Sequence, residues 1–254
     1  MYSMRMLSVL LLAWTPQLLS AASSSTVVTG NDWGPFVGKD LPNQGVASMI
    51  VRETFAAASE QVTVRFRPWN RAYREAREGM HLGIFPYSHN EERAQDFLFT
   101  EPLFHTRVRL LAARRHIEPD TRLETIKVPS ICLPLGYNTR VAESLFKRSE
   151  IILKRPRAMV NCLRMLQFGR VDLVLVSERV AGFLIDNEKG LERVDFFVLS
   201  RSYNSSIHLM VSRALPNARE LIRTLDSQLE QMKANGRIQS IFERYGIEDY
   251  APER

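Results

Sequence analysis

Residues 151–184 read IILKRPRAMVNCLRMLQFGRVDLVLVSERVAGFL. Ile151–Leu153 is a short apolar run with strand character. Residues 157–168 then read as a helix, stopped by Gly169. Residues 171–176 (VDLVLV) form a β-branched run suited to a strand buried on both faces. A further helix is expected over 177–184. Strand, helix, strand and helix in this order predict an α/β unit with helices on the faces of a parallel or mixed sheet.

The same alternation occurs earlier in the chain. Strands are expected at 26–29, 62–66, 82–85 and 97–100, with helices at 47–58 and 69–79. Residues 86–93 read as a polar, turn-like connection. A strand at 107–113 leads to a second series, with a strand at 131–133 and a helix at 141–146. After residues 151–184 come a strand at 207–211, a long helix at 218–235 and a short one at 238–245. In the long helix Leu221, Ile222, Leu225, Leu229 and Met232 recur at three- and four-residue steps and give one apolar stripe. Two α/β units in succession predict two lobes.

The chain has 254 residues, 45% hydrophobic and 24% charged, which is ordinary for a folded soluble protein. Its formal net charge of +6 is spread along the chain, with no block of five or six basic residues. Nucleic-acid binding is therefore not expected. Met6 to Trp14 (MLSVLLLAW) is an apolar run of signal-peptide length, too short to span a bilayer, and Ser20-Ala21-Ala22 offers a cleavage site. Cleavage is expected after Ala22, followed by release into the periplasm without membrane insertion. The two cysteines, Cys132 and Cys162, match no zinc or redox spacing. In an oxidising compartment they either pair or stay as separately buried thiols. No G-x-G-x-x-G, P-loop, G-x-S-x-G or H-E-x-x-H motif occurs, and the five histidines show no metal-ligand spacing. Neither a metal nor a cofactor is expected.

Five segments, in order, carry a resemblance. They are Asp32-Trp33-Gly34-Pro35-Phe36; Pro68-Trp69-Asn70-Arg71 with Glu78-Gly79; and Glu91-Glu92-Arg93 followed by residues 97–103 (FLFTEPL). Residues 166–174 (LQFGRVDLV) and Met232–Gly236 with Ile241 and Tyr245 complete the set. Together they resemble the family 3 extracellular solute-binding proteins, whose best-known members serve polar amino-acid ABC transporters. The resemblance implies a two-lobed α/β periplasmic-binding-protein fold of type II, with hinge strands between the lobes and a cleft between them. With the signal peptide read at 1–22, it implies a discontinuous first lobe at 23–109 plus 205–254, and a second lobe at 110–204. It further implies a monomer, not an enzyme, that closes on a small carboxylate-bearing solute, an amino acid or a related compound. A transporter permease or an envelope sensor would read the closed form.

By the same resemblance Arg93 grips the solute carboxylate, which suits a planar guanidinium donating two parallel hydrogen bonds. The residue types alone leave open a surface Arg93 paired with Glu91 or Asp96. Ser88 matches a position that contacts the same carboxylate. Trp33 and Trp69 match sandwiching aromatics, while each also suits a core position. Asp32, Asn70 and Tyr87 are candidates at the cleft edge. In the second lobe the candidates are Tyr137, Thr139, Ser177 and Glu178. Ser177 stands where many amino-acid binders carry an Asp for the ligand ammonium. The competing reading is an enzyme on the same scaffold, a dehydratase of cyclic carboxylates with Glu178 as general acid.

Overall fold

The computed structural model describes residues 25–122, 125–145, 150–199 and 203–248. The expected leader, residues 1–22, lies outside them. The described chain folds into β1 (Ser25–Thr29), α1 (Val46–Ala57), β2 (Val62–Phe66), α2 (Trp69–Arg77), β3 (Gly83–Ser88), α3 (Glu91–Asp96), β4 (Phe97–Phe99) and β5 (Phe104–Ala113). There follow β6 (Ser130–Cys132), α4 (Arg140–Leu145), β7 (Ile152–Lys154), α5 (Met159–Gln167), β8 (Leu173–Ser177), α6 (Glu178–Asn187) and β9 (Phe196–Val198). The chain closes with β10 (Tyr203–Ser212), α7 (Ala218–Ala234) and α8 (Arg237–Arg244).

One curled sheet runs in the order β2-β1-β3-β10-β5-β8-β6-β7, with β4 on β10 and β9 on β5. Within each lobe the central strands are parallel, as the strand–helix alternation requires: β1 with β2 and β3, and β6 with β7 and β8. The lobes meet through β5 and β10, which pair antiparallel over Phe104–Val108 and Tyr203–Ile207. Beyond that shared stretch the strands part. β5 continues into the second lobe against β8 and β9, while β10 continues into the first against β3 and β4. These two ten-residue strands are the crossing connections.

One apolar cluster runs through both lobes, from Val27 and Phe85 of the first to Cys132 and Val176 of the second, and each lobe adds a smaller cluster of its own. Leu221, Leu225, Leu229 and Met232 of α7 are buried, so the stripe read from the sequence is the face that packs. In the second lobe Cys132 of β6 and Cys162 of α5 form a disulfide, with their Cα atoms 5.4 Å apart. The sequence had left pairing and separate thiols open.

Besides the unexpected strand β9 and the earlier start of β5 at Phe104, two segments depart from the sequence reading. The connection expected over 86–93 is ordered at both ends: β3 runs on through Pro86 to Ser88, and α3 begins at Glu91. Proline lacks a ladder donor and is uncommon in central strands. Here the pairing of β3 with β10 shifts register between His208 and Met210, opposite Phe85-Pro86, and the irregularity accommodates it. Likewise β10 begins at Tyr203 rather than Ile207, because its polar first half is hydrogen-bonded to β5 and not exposed as a loop.

Candidate functional site

The chain turns that end β1, β3, β6 and β8 converge between the lobes. There they line a half-open cavity of about 320 Å³, within the range of small-ligand sites. Trp33, Trp69, Tyr87, Ser88 and Arg93 line it from the first lobe, and Leu133, Tyr137, Leu175 and Ser177 from the second. The crossing strands add Thr106, Val108 and residues 203–207. An adjoining cavity of about 560 Å³ has a more polar lining that includes Asn70, Glu92, Thr139, Glu143 and Arg155. The two share Trp69, Tyr87, Arg93, Gly136, Tyr137 and Asn138.

Arg93 is placed by a helix cap. Asn90 precedes α3, and its Oδ1 accepts from the Arg93 backbone N–H at 2.7 Å. The side chain is buried, with 7% of the residue exposed. Its Nη1 donates to the Ser88 carbonyl at 2.6 Å and lies 3.1 Å from Ser88 Oγ. Its Nη2 donates to the Gly136 carbonyl of the second lobe at 2.8 Å. The guanidinium also lies 4.8 Å from the Tyr87 ring centroid, at cation–π distance. Among the described residues no carboxylate forms a salt bridge with it. Burial lowers the Arg93 pKa, but guanidinium keeps its proton in proteins. The site therefore holds a buried positive charge whose hydrogen-bond and ring partners are neutral, with Glu92 acting on it only through space.

The aromatic walls are fixed from behind. Trp69 donates from Nε1 to the Asn31 carbonyl at 2.8 Å and meets Tyr87 edge-on, with centroids 5.8 Å apart. Gly30 makes room for it: a Cβ there would fall 1.9 Å from Trp69 Cδ2. Trp33 is 9% exposed and leans on Phe36, with centroids 4.7 Å apart. Burial raises the pKa of both Tyr87 and Tyr137, so these phenols stay neutral and act as donors or apolar walls.

The remaining candidates separate by position. Ser177 and Thr106 are buried and bonded to each other, Oγ to Oγ1, at 2.6 Å. Asn70 and Thr139 line the adjoining cavity only. Asp32 lines neither; it is exposed, has a left-handed φ of 64°, and accepts from Asn31 Nδ2 at 2.8 Å. Partial burial, then Glu188 and Asp40, raise its carboxyl pKa. Glu178 also lines neither cavity. It is exposed, and its Oε2 accepts from Arg109 Nε at 3.1 Å. It does not sit where a general acid would meet a solute in the cleft.

Several lining residues were not among the sequence candidates: His89, Thr106, Asn204, Ser205 and Ser206. His89 packs at a tilt against Phe99, and Ser206 Oγ is 2.8 Å from the buried His208 Nε2. They lie on or beside the crossing strands, and a polar run such as 203–206 carries no periodic signal of its own. Gly136 contributes through its carbonyl, which residue type does not reveal.

No curated protein matches the chain. Similar solved structures include a histidine kinase sensor domain with similarity to periplasmic binding proteins, 19% identical, covering 91% of this chain and 98% of that one, with a TM-score of 0.75. Another is the arginine-, lysine-, histidine-binding protein ArtJ from Geobacillus stearothermophilus, 17% identical, covering 87% and 94%, TM-score 0.72. A third is an arginine transport-system periplasmic binding protein from Legionella pneumophila, 14% identical, covering 87% and 99%, TM-score 0.73. At such identities the likeness establishes the two-lobed binding-protein fold. The family model of the bacterial extracellular solute-binding proteins, family 3, matches residues 26–248. With that match over nearly the whole described chain, the protein belongs to the bacterial extracellular solute-binding proteins, family 3.

Proposed function

We propose that this chain is an exported binding protein whose two lobes close on a small carboxylate-bearing solute, with Arg93 as the anion clamp. The observation that carries the reading is the buried Arg93 guanidinium, set between the lobes with carbonyl, hydroxyl and ring partners and no carboxylate. A carboxylate taking the place of the Gly136 carbonyl would gain a charge-assisted, two-point hydrogen bond. Trp33, Trp69 and Tyr87 on one side and Tyr137 on the other would hold the solute body, with Ser88 beside the clamp. Asn70 and Thr139 would meet only a solute that reaches the adjoining cavity.

The mechanism is hinge closure about β5 and β10. A solute that touches both lobes favours the closed form by its differential contacts. The apolar leader read at residues 6–14 supports export to the periplasm. A transporter permease or an envelope sensor would read the closed state. Both outcomes occur among proteins of this fold, since one similar structure is a histidine kinase sensor domain and another is the substrate-binding protein of an amino acid ABC transporter.

Thermal unfolding with a panel of amino acids, organic acids, polyamines and short peptides tests the reading. Ligand at 100 times Kd adds about 2.7 kcal/mol. That is a rise of roughly 5–10 °C at this size. Carboxylates are expected to raise the melting temperature. A panel without any response would count decisively against the proposal.

A further inference from the structure

We infer that the solute is an organic acid with an apolar or aromatic body and no ammonium group beside its carboxylate. The inference rests on the binding reading above, with Arg93 as the anion site.

The first observation is the charge balance of the inner cavity. Among the described residues that line it, Arg93 is the one permanently charged side chain, and no Asp or Glu is present. A bound carboxylate neutralises that charge. A zwitterionic amino acid would bring its ammonium into the same cavity, where no lining carboxylate meets it. A buried charge without a partner is strongly disfavoured.

The second observation is that the acceptors beside the clamp are neutral carbonyls and hydroxyls, which offer an ammonium hydrogen bonds but no opposite charge. The carbonyls of Ser88 and Gly136 accept from Arg93. The hydroxyls of Ser177 and Thr106 are bonded to each other. Glu178, the acid next to Ser177, is turned away toward Arg109 and lies outside the lining. The acids Glu92 and Glu143 line only the adjoining cavity.

The third observation is the apolar share of the wall, which shares the lining with a polar set of His89, Asn138 and residues 204–206. Val108, Leu133, Leu175 and Ile207 face Trp33 and Tyr137 around the space. An engineered apolar cavity of about 150 Å³ accepts benzene. The volume here, about 320 Å³, suits one ring or a branched chain together with a short acidic arm.

The test is isothermal titration with matched pairs that differ only in the ammonium. Suitable pairs are 3-phenylpropionate with phenylalanine, indole-3-propionate with tryptophan, and 4-methylpentanoate with leucine, with 2-phenylethylamine as the amine alone. The deaminated acid of at least one pair is expected to bind tenfold or more tightly than its amino acid. An amino acid that binds as tightly as its partner, or more tightly, would overturn the inference and leave the carboxylate clamp standing. Binding of the amine alone, or of no compound, would overturn both.

Ser177→Asp adds the missing anion at the cavity wall, where Thr106 can still donate to it. Its ratio of acid to amino-acid affinity is expected to move at least tenfold toward the amino acid. An unchanged ratio in a variant that unfolds as cooperatively as the wild type would argue against the inference. If the variant does not fold, the wild-type ratio decides alone.

Discussion

Arg93 of the first lobe donates through Nη2 to the carbonyl of Gly136 in the second lobe, at 2.8 Å. The side chain proposed to hold the solute is thus also a tie between the lobes. A charge-assisted hydrogen bond of this kind contributes about 1.5–3 kcal/mol. Its loss would shift the closed population by roughly 10–100-fold. In Arg93→Ala the ligand-free protein is therefore expected to open. Small-angle scattering should give a larger radius of gyration than the wild type; an equal radius would show that the contact does not hold the lobes together.

Gly34 supplies a second point of approach. A Cβ there would fall 2.3 Å from Phe183 Cε1, and Phe183 belongs to α6 of the second lobe. Gly34→Ala should obstruct closure while leaving each lobe intact. Solute affinity is expected to fall about tenfold, with little change in the melting temperature of the free protein. A wild-type affinity would mean that the Phe183 ring steps aside at no cost.

The Cys132–Cys162 disulfide closes a loop over a sequence separation of 30 residues. Loop-closure entropy then assigns it about 3–4 kcal/mol. Replacing both cysteines by alanine should lower the melting temperature by roughly 6–16 °C. A drop under about 2 °C would show that α5 and β6 hold together equally well without the bond.

Glu75 sets the acid limit of the first lobe. Its carboxylate accepts from Arg71 Nε at 2.5 Å and lies 3.2 Å from His81 Nε2 and 3.3 Å from Arg67 Nε. His81 Nδ1 in turn lies 2.7 Å from Thr26 Oγ1 on β1, which ties α2 to the sheet. The hydrogen bond from Arg71, then that from His81, hold the Glu75 pKa down to about 2. The unfolded value is about 4.3. As pH falls the unfolded chain takes up this proton first, so the contribution is complete above pH 4.3 and drains away toward pH 2. Glu75→Gln should flatten stability over that window in denaturant titrations. A variant curve as steep as the wild type would place the acid sensitivity elsewhere.

The fold was legible because strand and helix periods alternate cleanly, and α7 shows its packing face as a stripe of leucines. The missed elements are those whose order comes from partners rather than from pattern. α3 is six residues long and depends on the Asn90 cap, and the first half of β10 is a polar run held by β5. The lining of the candidate cavity was legible to a similar degree. Of the residues read from sequence, Arg93, Ser88, Tyr87, Trp33, Trp69, Tyr137 and Ser177 line one cavity. Asp32 and Glu178 stand beside lining residues in sequence yet outside the lining. Ser177 closes β8 in an extended conformation and Glu178 opens α6, so the change of backbone between them sends Glu178 out toward Arg109.

The central claim is that Arg93 binds a carboxylate of the solute. Its most direct test is titration calorimetry of the strongest carboxylate ligand against wild type, Arg93→Lys and Arg93→Ala. A charge-assisted bond of about 1.5–3 kcal/mol corresponds to a roughly 10–100-fold weaker Kd in Arg93→Ala. Arg93→Lys should recover only part of the loss, because an ammonium lacks the planar fork. A Kd unchanged in Arg93→Ala would contradict the account.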